Sequence, residues 1–534
     1  MLGCGLCWTA QAERIERVRL PVGLNLSDGK ILGLCFIVGF LVRLMPEVLA
    51  FQSPVGFDTV YYAAVMKSGI VWPHWSSFFA SSWLLFALLV PFRGLGVDAF
   101  VLLKIVGPAL FGLNVAGVYF FARRMLGWDR RLSFLACGFF ALQLASLRIS
   151  WDLLRNGLGL GLLLFALPLI GKVDSRRGLA GFAVLGLLTV FAHEYAGVTL
   201  LVVVGGLLAW RLLKRHVDAC WKRLLVGVVP ASAVFVSGLL LRLSGVAYTV
   251  GSNVVEARDV VRGNAGGVFF LVDYLGVRSS IDFYGSYWSL VGSVLLLFAV
   301  LYCSYVLLVL KGWFRNGVLG LWTGLLLVGA FGALLVPVCA LEYWHRWMFM
   351  LVYPFTFFAV NGLRKVWAGK GWRQVVSRFR ISRWEARVMV LVTVGLGVSY
   401  LATPVLMSGA NVSVSSVTAT YTYFSTNPTV PYGDVSDVVR VMQWLDVNMP
   451  SASCVALQHA FLSWGQLGLD GSHVIVHFEM DLGKAVETAL EHGFARVFFV
   501  WWNVDIGWYG LSVPESFVRM HDSGRLSVYE YVGV

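Results

Sequence analysis

In a strongly apolar chain, ionisable side chains are costly to place, and where they gather they mark candidate chemistry. Apart from flanking Lys and Arg clusters, the ionisable residues here concentrate at one set of run ends. They are Arg43 and Glu47, then Asp58, then Asp152 and Arg155, then His193 and Glu194, then Glu342, His345 and Arg346, while Lys104 lies inside a run. A carboxylate at such a place can serve as a general base. A guanidinium can grip a phosphate through two parallel hydrogen bonds. The set is that of one polar cavity opening on one face.

Each position also has a plainer reading. In PVGFDTVYYAA, a helix starting at Asp58 puts Asp58, Tyr61, Tyr62 and Val65 on one face. Asp58 is then either that helix's N-terminal cap or a carboxylate at the cavity mouth. Arg346, between Trp344 and Trp347, is either an interfacial anchor or a phosphate clamp. His193-Glu194, in a turn of almost no length, is either a helix-end pair or a second carboxylate near Asp58. Asp152 and Arg155 have the i,i+3 spacing of an ion pair at a helix start, which supports the cavity walls.

The elements that position these residues follow from composition. The chain has 534 residues, 58% hydrophobic and 13% charged, with mean hydropathy +0.76. Soluble chains carry about 25% charged residues, so this is a polytopic α-helical membrane protein. A crossing needs about 20 apolar residues. That ruler gives eleven spans, near 31–49, 100–122, 132–148, 155–171, 179–192, 195–212, 224–242, 286–310, 317–340, 346–363 and 388–407. The run 79–92 is short, ends in Pro91, and reads as interfacial.

With the N-terminus inside, the inner segments hold 26 Lys and Arg and the outer ones 9, as the positive-inside rule requires. Counting 79–92 as a span would put the Arg378, Arg380, Arg383 and Arg387 cluster outside. A cytoplasmic segment (1–30) therefore precedes a membrane domain (31–407) whose long loops 50–99 and 243–285 face outward. An extracytoplasmic domain follows over 408–534. That tail carries 5 Lys and Arg against 12 Asp and Glu. The expected location is the plasma membrane. The basic excess of the body sits in short clusters between spans, which is orientation charge and not a nucleic-acid groove.

The tail reads as a small α/β layer. Val438, Val441, Leu445 and Val447 have helical spacing before the stop at Pro450, Cys454–Leu457, Val474–Phe478 and Val497–Trp501 are strands, and 480–492 is a helix. The stretch 408–433 is a linker that contains the sequon Asn411-Val412-Ser413. Trp501-Trp502-Asn503 reads as packing. Cys4 and Cys7 form a lone C-x-x-C without the second half of a zinc site, and only Cys454 lies in the tail, which excludes an internal disulfide there. The chain contains no P-loop and no H-E-x-x-H, and no paired broken helices of the transporter kind.

The layout resembles the GT-C membrane glycosyltransferases that use polyprenyl-phosphate-linked sugars. The resemblance rests on one span, then a long loop opening on Gly56-Phe57-Asp58-Thr59-Val60-Tyr61-Tyr62, then an interfacial stretch with Pro73-His74-Trp75. It continues with Arg123-Arg124-Met125-Leu126-Gly127, a late span opening at Arg346 with Tyr353-Pro354, and a polar tail preceded by Trp444-Leu445 and Pro450.

What the resemblance implies is sugar transfer from a polyprenyl-phosphate donor to a lipid, glycan or protein acceptor, on the outer face and with inversion. Asp58 is then the base and Arg346 holds the lipid phosphate, with Arg43 or Lys104 assisting. Glu194 joins Asp58 as a catalytic candidate. His345, His193, Tyr61, Tyr62, His74, Arg43, Arg155 and Asp152 join Arg346 in substrate binding. No cofactor and no metal are expected beyond the lipid-linked co-substrate. Protein mannosyltransferases and aminoarabinose transferases have Asp-Glu where this chain has Asp58-Thr59. The oligosaccharyltransferase motif W-W-D-Y-G is replaced here by Gln458-His459-Ala460-Phe461-Leu462-Ser463-Trp464. A transporter or flippase of lipid-linked saccharides would use the same cavity but would need access from both faces.

Overall fold

A computed structural model describes residues 26–50, 53–71, 75–79, 82–244, 249–250, 253–260, 286–335, 344–368, 381–403, 428–504 and 511–533. His74, Glu342, Cys4, Cys7 and Asn411 lie outside them.

Leu-, Val- and Phe-rich runs with few interior charges form the helical body. Its helices are α1 (Asp28–Leu49), α2 (Thr59–Ser68), α3 (Leu84–Gly94), α4 (Ala99–Arg124), α5 (Arg130–Ala141), α6 (Leu144–Asp152), α7 (Leu154–Ala166), α8 (Arg176–Ala192), α9 (Glu194–Leu213) and α10 (Ala219–Leu243). Then come α11 (Tyr287–Tyr302), α12 (Val306–Gly312), α13 (Gly317–Leu335), α14 (Trp344–Met350), α15 (Val352–Trp367) and α16 (Arg383–Leu401). The expectation of eleven spans is only partly matched. Among the described residues seven helices are long and apolar enough to cross a membrane, or nine if the bent pairs α5–α6 (62°) and α11–α12 (75°) each count as one. The eleven-residue α3 is too short to cross, and it runs through Pro91 to Gly94 instead of stopping at the proline.

At one end of the body, Asp28 in the first turn of α1 pairs with Arg123 at 3.2 Å and Arg130 at 2.8 Å. Beside it, the end of α4 and the start of α5 carry Arg123, Arg124, Arg130 and Arg131.

The C-terminal α/β unit contains α17 (Val435–Asn448), α18 (His459–Gly468) and α19 (Leu482–Glu491) packed on a six-stranded sheet. Val438, Val441 and Leu445 are buried as their spacing requires, but Val447 is 82% exposed, on the outer side of the last turn before Pro450. The sheet order is β3-β5-β4-β6-β8-β7, with β3 (Val254–Glu256), β4 (Ser453–Gln458), β5 (Val474–Phe478) and β6 (Arg496–Trp502) parallel. The hairpin β7 (Phe517–Ser523) and β8 (Leu526–Tyr531) closes the other edge antiparallel. The end of the expected linker already belongs to this unit, since Val430 is fully buried in its core.

Strand β3 comes from the long segment between α10 and α11, so the sheet is not built by the tail alone. Its segment is fastened beyond the ladder. Asp259 Oδ2 accepts from the backbone N–H groups of Glu479, Met480 and Asp481 at 3.1, 2.8 and 2.9 Å. A second short pair, β1 (Ile70–Val71) with β2 (Thr249–Val250), joins the two long loops to each other.

The body meets the C-terminal unit along α2 and α18, which lie start to start and end to end. Phe57 stacks on His459 with centroids 6.2 Å apart and planes at 20°. Ten residues on, Lys67 Nζ donates to the carbonyls of Leu467 and Leu469, each at 2.8 Å, which satisfies C-terminal carbonyls of α18. Val60 of α2 is fully buried within the C-terminal core.

Candidate functional site

The site is built where α2, α3, α7, the α8–α9 junction and α14 converge. Helix α8 ends at Ala192, His193 is extended, and α9 begins at Glu194. His193 Nδ1 accepts from the Tyr195 N–H at 3.2 Å, so the helix-end role expected of it is real. Glu194 is 2% exposed. Its Oε2 accepts a 2.8 Å hydrogen bond from Ser82 Oγ, and its Oε1 lies 3.9 Å from His193 Nε2.

Two guanidinium groups act on this pair. The charges of Arg155 and Arg346 both reach His193 and Glu194. Arg155 comes from the first turn of α7, and the packing of that helix explains its position. Gly159, one turn further on the same face, lies against α9 so closely that a Cβ there would meet Ala196 Cβ at 2.8 Å and His193 Cβ at 3.2 Å. The glycine brings α7 and α9 together, and the level of Arg155 follows. Arg346 arrives on α14, which is fastened to α9 by aromatic contacts. Tyr195 stacks on His193 at 5.0 Å and meets Trp347 edge-on at 4.9 Å. His345 is half-buried and lies edge-on to Phe349 at 6.0 Å.

Helix α2 supplies the remaining wall. The Arg155 guanidinium lies 5.9 Å from the Tyr61 ring and 6.0 Å from that of Phe86, within cation–π range. Tyr62 is buried and packs on Phe86 at 5.9 Å. Asp58 stands three residues before Tyr61, so it belongs to the same face one turn earlier. The capping expectation for Asp58 is corrected here. It occupies the N-cap position, but its side chain makes no capping hydrogen bond. With ψ near 0° instead of the extended value of a capping residue, the carboxylate is not aimed at the first-turn N–H groups.

Arg43 and Lys104 belong to a different arrangement. Arg43 is 1% exposed and pairs with Glu47 at 2.7 Å, and Lys104 reaches the other Glu47 oxygen at 3.2 Å. The Arg43 Nε donates to the Ser150 carbonyl at 3.1 Å, and Lys104 donates to the carbonyls of Glu47, Ala50 and Ser53. These two cations and one carboxylate form a triad, buried at Arg43 and Glu47 and half-buried at Lys104, that lines a narrow cleft with Thr59, Gly107, Trp151 and Leu154.

The expected Asp152–Arg155 pair does not share a helix, because the chain breaks at Leu153 between α6 and α7; the Asp152 side chain lies outside the described residues. Among the described residues no three His, Cys, Asp or Glu side chains group as metal ligands.

Sequence reasoning passed over Ser82, Phe86, Tyr195 and Arg148. Arg148 is 8% exposed on α6, with its guanidinium 5.4 Å from the Phe349 ring that also touches His345. Its charge inside an apolar stretch was the available signal. Ser82 carried none.

Neither a known family's sequence profile nor a curated protein matches this chain. Among the solved structures that match it in fold are two of one protein. One is ArnT from Cupriavidus metallidurans in the apo state, at TM-score 0.53 and 13% identity, covering 94% of this chain and 98% of that one. The other is the same protein bound to undecaprenyl phosphate, at TM-score 0.50 and 12% identity, covering 95% and 98%. At such identity the likeness is one of architecture alone.

Proposed function

We propose that this chain, which has the GT-C fold, is a membrane glycosyltransferase that moves a sugar from a polyprenyl-phosphate donor to an acceptor hydroxyl at the outer face. The observation that carries the reading is the convergence of Arg155 and Arg346 on the buried His193–Glu194 pair, beside the face of α2 that bears Asp58. The bound lipid phosphate of the ArnT structure fits a site of this charge.

In this reading Arg346 and Arg155 hold the donor phosphate, with Arg148 and His345 nearby. Asp58 takes the acceptor proton. The acceptor oxygen forms its bond to the anomeric carbon from the side opposite the phosphate as the anomeric C–O bond breaks, which inverts the centre. The electron pair leaves on the phosphate, whose charge rises from one to two negative. Meeting that charge with fixed guanidinium groups is the larger electrostatic task, and here Arg side chains do it without a metal. Glu194 keeps the cations in place between turnovers. The Arg43–Glu47–Lys104 triad supports the wall it shares with Thr59 and Leu154.

Eleven crossings follow if α8 and the α14–α15 pair each cross, in addition to the nine above. The 26-to-9 distribution of Lys and Arg then puts the N-terminus in the cytoplasm and the C-terminal unit outside, at the plasma membrane.

The test is transfer of radiolabelled sugar from polyprenyl-phosphate donors in membranes containing the full chain. Loss of transfer in both Asp58→Asn and Arg346→Ala, with gel filtration unchanged, supports the reading. No transfer from any donor, together with movement of a lipid-linked saccharide across vesicles, would replace it with a transporter.

A further inference from the structure

Two histidines of the C-terminal unit stand at the level of Asp58 without a role in the reading above. The matched starts of α2 and α18 set that level, with Phe57 stacked on His459. His459 is exposed, yet burial among its surroundings lowers its pKa. His477 on β5 lies 5.8 Å from it, ring centroid to centroid. His477 is 6% exposed, and its Nε2 is buried with no hydrogen-bond partner among the described residues. Burial and the neighbouring His459 push its pKa down to about 3, so the ring is neutral. A buried polar atom with no partner is rare in a folded chain, and here it belongs to the ring that lies behind the exposed His459.

We propose that Phe57, His459 and His477 form an acceptor subsite that takes a neutral, hydroxyl-rich molecule such as a glycan and presents one hydroxyl toward Asp58. The inference rests on the transferase reading and names the class of acceptor. A neutral imidazole offers one donor and one acceptor, which matches a hydroxyl able to do both. The Phe57 ring offers an apolar face to the C–H side of a sugar. Glu256, the register partner of His477 on β3, adds an acceptor-only group that favours hydroxyls and opposes anions.

The experiment uses the full chain in nanodiscs and saturation-transfer NMR with the methyl glycosides of mannose, galactose and arabinose. Glycerol 3-phosphate is the anionic control. At least one neutral glycoside should show saturation, and His459→Ala should weaken its binding about tenfold, the worth of one lost hydrogen bond. His459→Gln should recover much of it. His459 is exposed, so its variants test the site even if His477→Gln disturbs the sheet. No saturation of any glycoside, saturation of the phosphate alone, or equal binding by wild type and His459→Ala would overturn the subsite. Transfer to the same glycosides, run in parallel, separates the two ideas. Glycoside binding that His459→Ala weakens, with no transfer from any polyprenyl-phosphate donor, overturns the transferase reading and leaves a sugar-binding site without an acceptor role, whereas transfer with an acceptor KM unchanged in His459→Ala overturns the subsite alone.

Discussion

Ser82 Oγ donates a 2.8 Å hydrogen bond to Glu194 Oε2 across 112 positions of the chain. The bond joins the residues leading into α3 to the start of α9. It occupies one carboxylate oxygen and leaves the other toward His193, 3.9 Å away. A carboxylate held this way inside a buried cationic cluster has one orientation, which is what a group that sets the positions of Arg155 and Arg346 requires.

The first prediction concerns that bond. Ser82→Ala should reduce donor transfer about tenfold, as expected when a buried acceptor loses its partner, and Ser82→Thr should retain most of it. Glu194→Gln should reduce transfer further and raise the donor KM. Full activity in both Ser82→Ala and Glu194→Gln would remove Glu194 from the site.

Arg346 and Asp58 should separate kinetically. Arg346→Ala should act mainly on donor KM, and Arg346→Lys should recover little, because an ammonium cannot reproduce the planar fork. Asp58→Asn should lower kcat by about 10²–10⁴-fold, the range of a lost general base, with donor KM nearly unchanged. Initial rates at varied donor concentration decide it, and an Asp58→Asn enzyme with normal kcat would shift the base assignment to Glu194.

Much of this site was legible before the fold was known, and the limits are physical. Arg43 and Glu47 sit at i,i+4 and do pair, because helical spacing is local. That Lys104 completes the triad depends on how α1 packs against α4, which no single-helix pattern contains. Strand β3 is three residues long and lies in a loop, so it offers no periodicity to read; the sheet recruits it through backbone hydrogen bonds. The β7–β8 hairpin was missed for a related reason. At the edge of the sheet, Val518, Arg519 and Met520 are all exposed, and the alternation that marks a half-buried strand is lost. The two crossings expected beyond nine rest on α8, which is 17 residues long, and on the run 346–363, which is divided between α14 and α15; apolar composition does not report where a helix ends or breaks.

Stability of the C-terminal unit should depend on pH through His477. Its folded pKa is about 3, against an ordinary value of about 6.5. Between those values the unfolded chain binds a proton that the folded chain does not, so stability rises with pH. The contribution is intact above pH 6.5 and is lost progressively as pH falls toward 3. The loss totals a few kcal/mol, at roughly 1.4 kcal/mol for each pH step of one between the two values. Thermal unfolding of the full chain at pH 7 and pH 4.5 should show a smaller gap for His477→Leu than for wild type. An equal gap would mean that His477 is not the group responsible.

The contact at Gly159 predicts a steric effect on the site without any change of charge. A Cβ there would lie 2.8 Å from Ala196 Cβ, closer than packed carbons sit, so Gly159→Ala must push α7 from α9 and carry Arg155 away from Glu194. Transfer should fall well below that of Gly157→Ala on the same helix, where a Cβ meets nothing within 4 Å. The pair Gly159→Ala with Ala196→Gly returns the space and should restore activity. Rescue by the second substitution would show that the helix spacing, and not the glycine itself, sets the guanidinium. If the single variant is fully active, the close approach of α7 and α9 does not position Arg155.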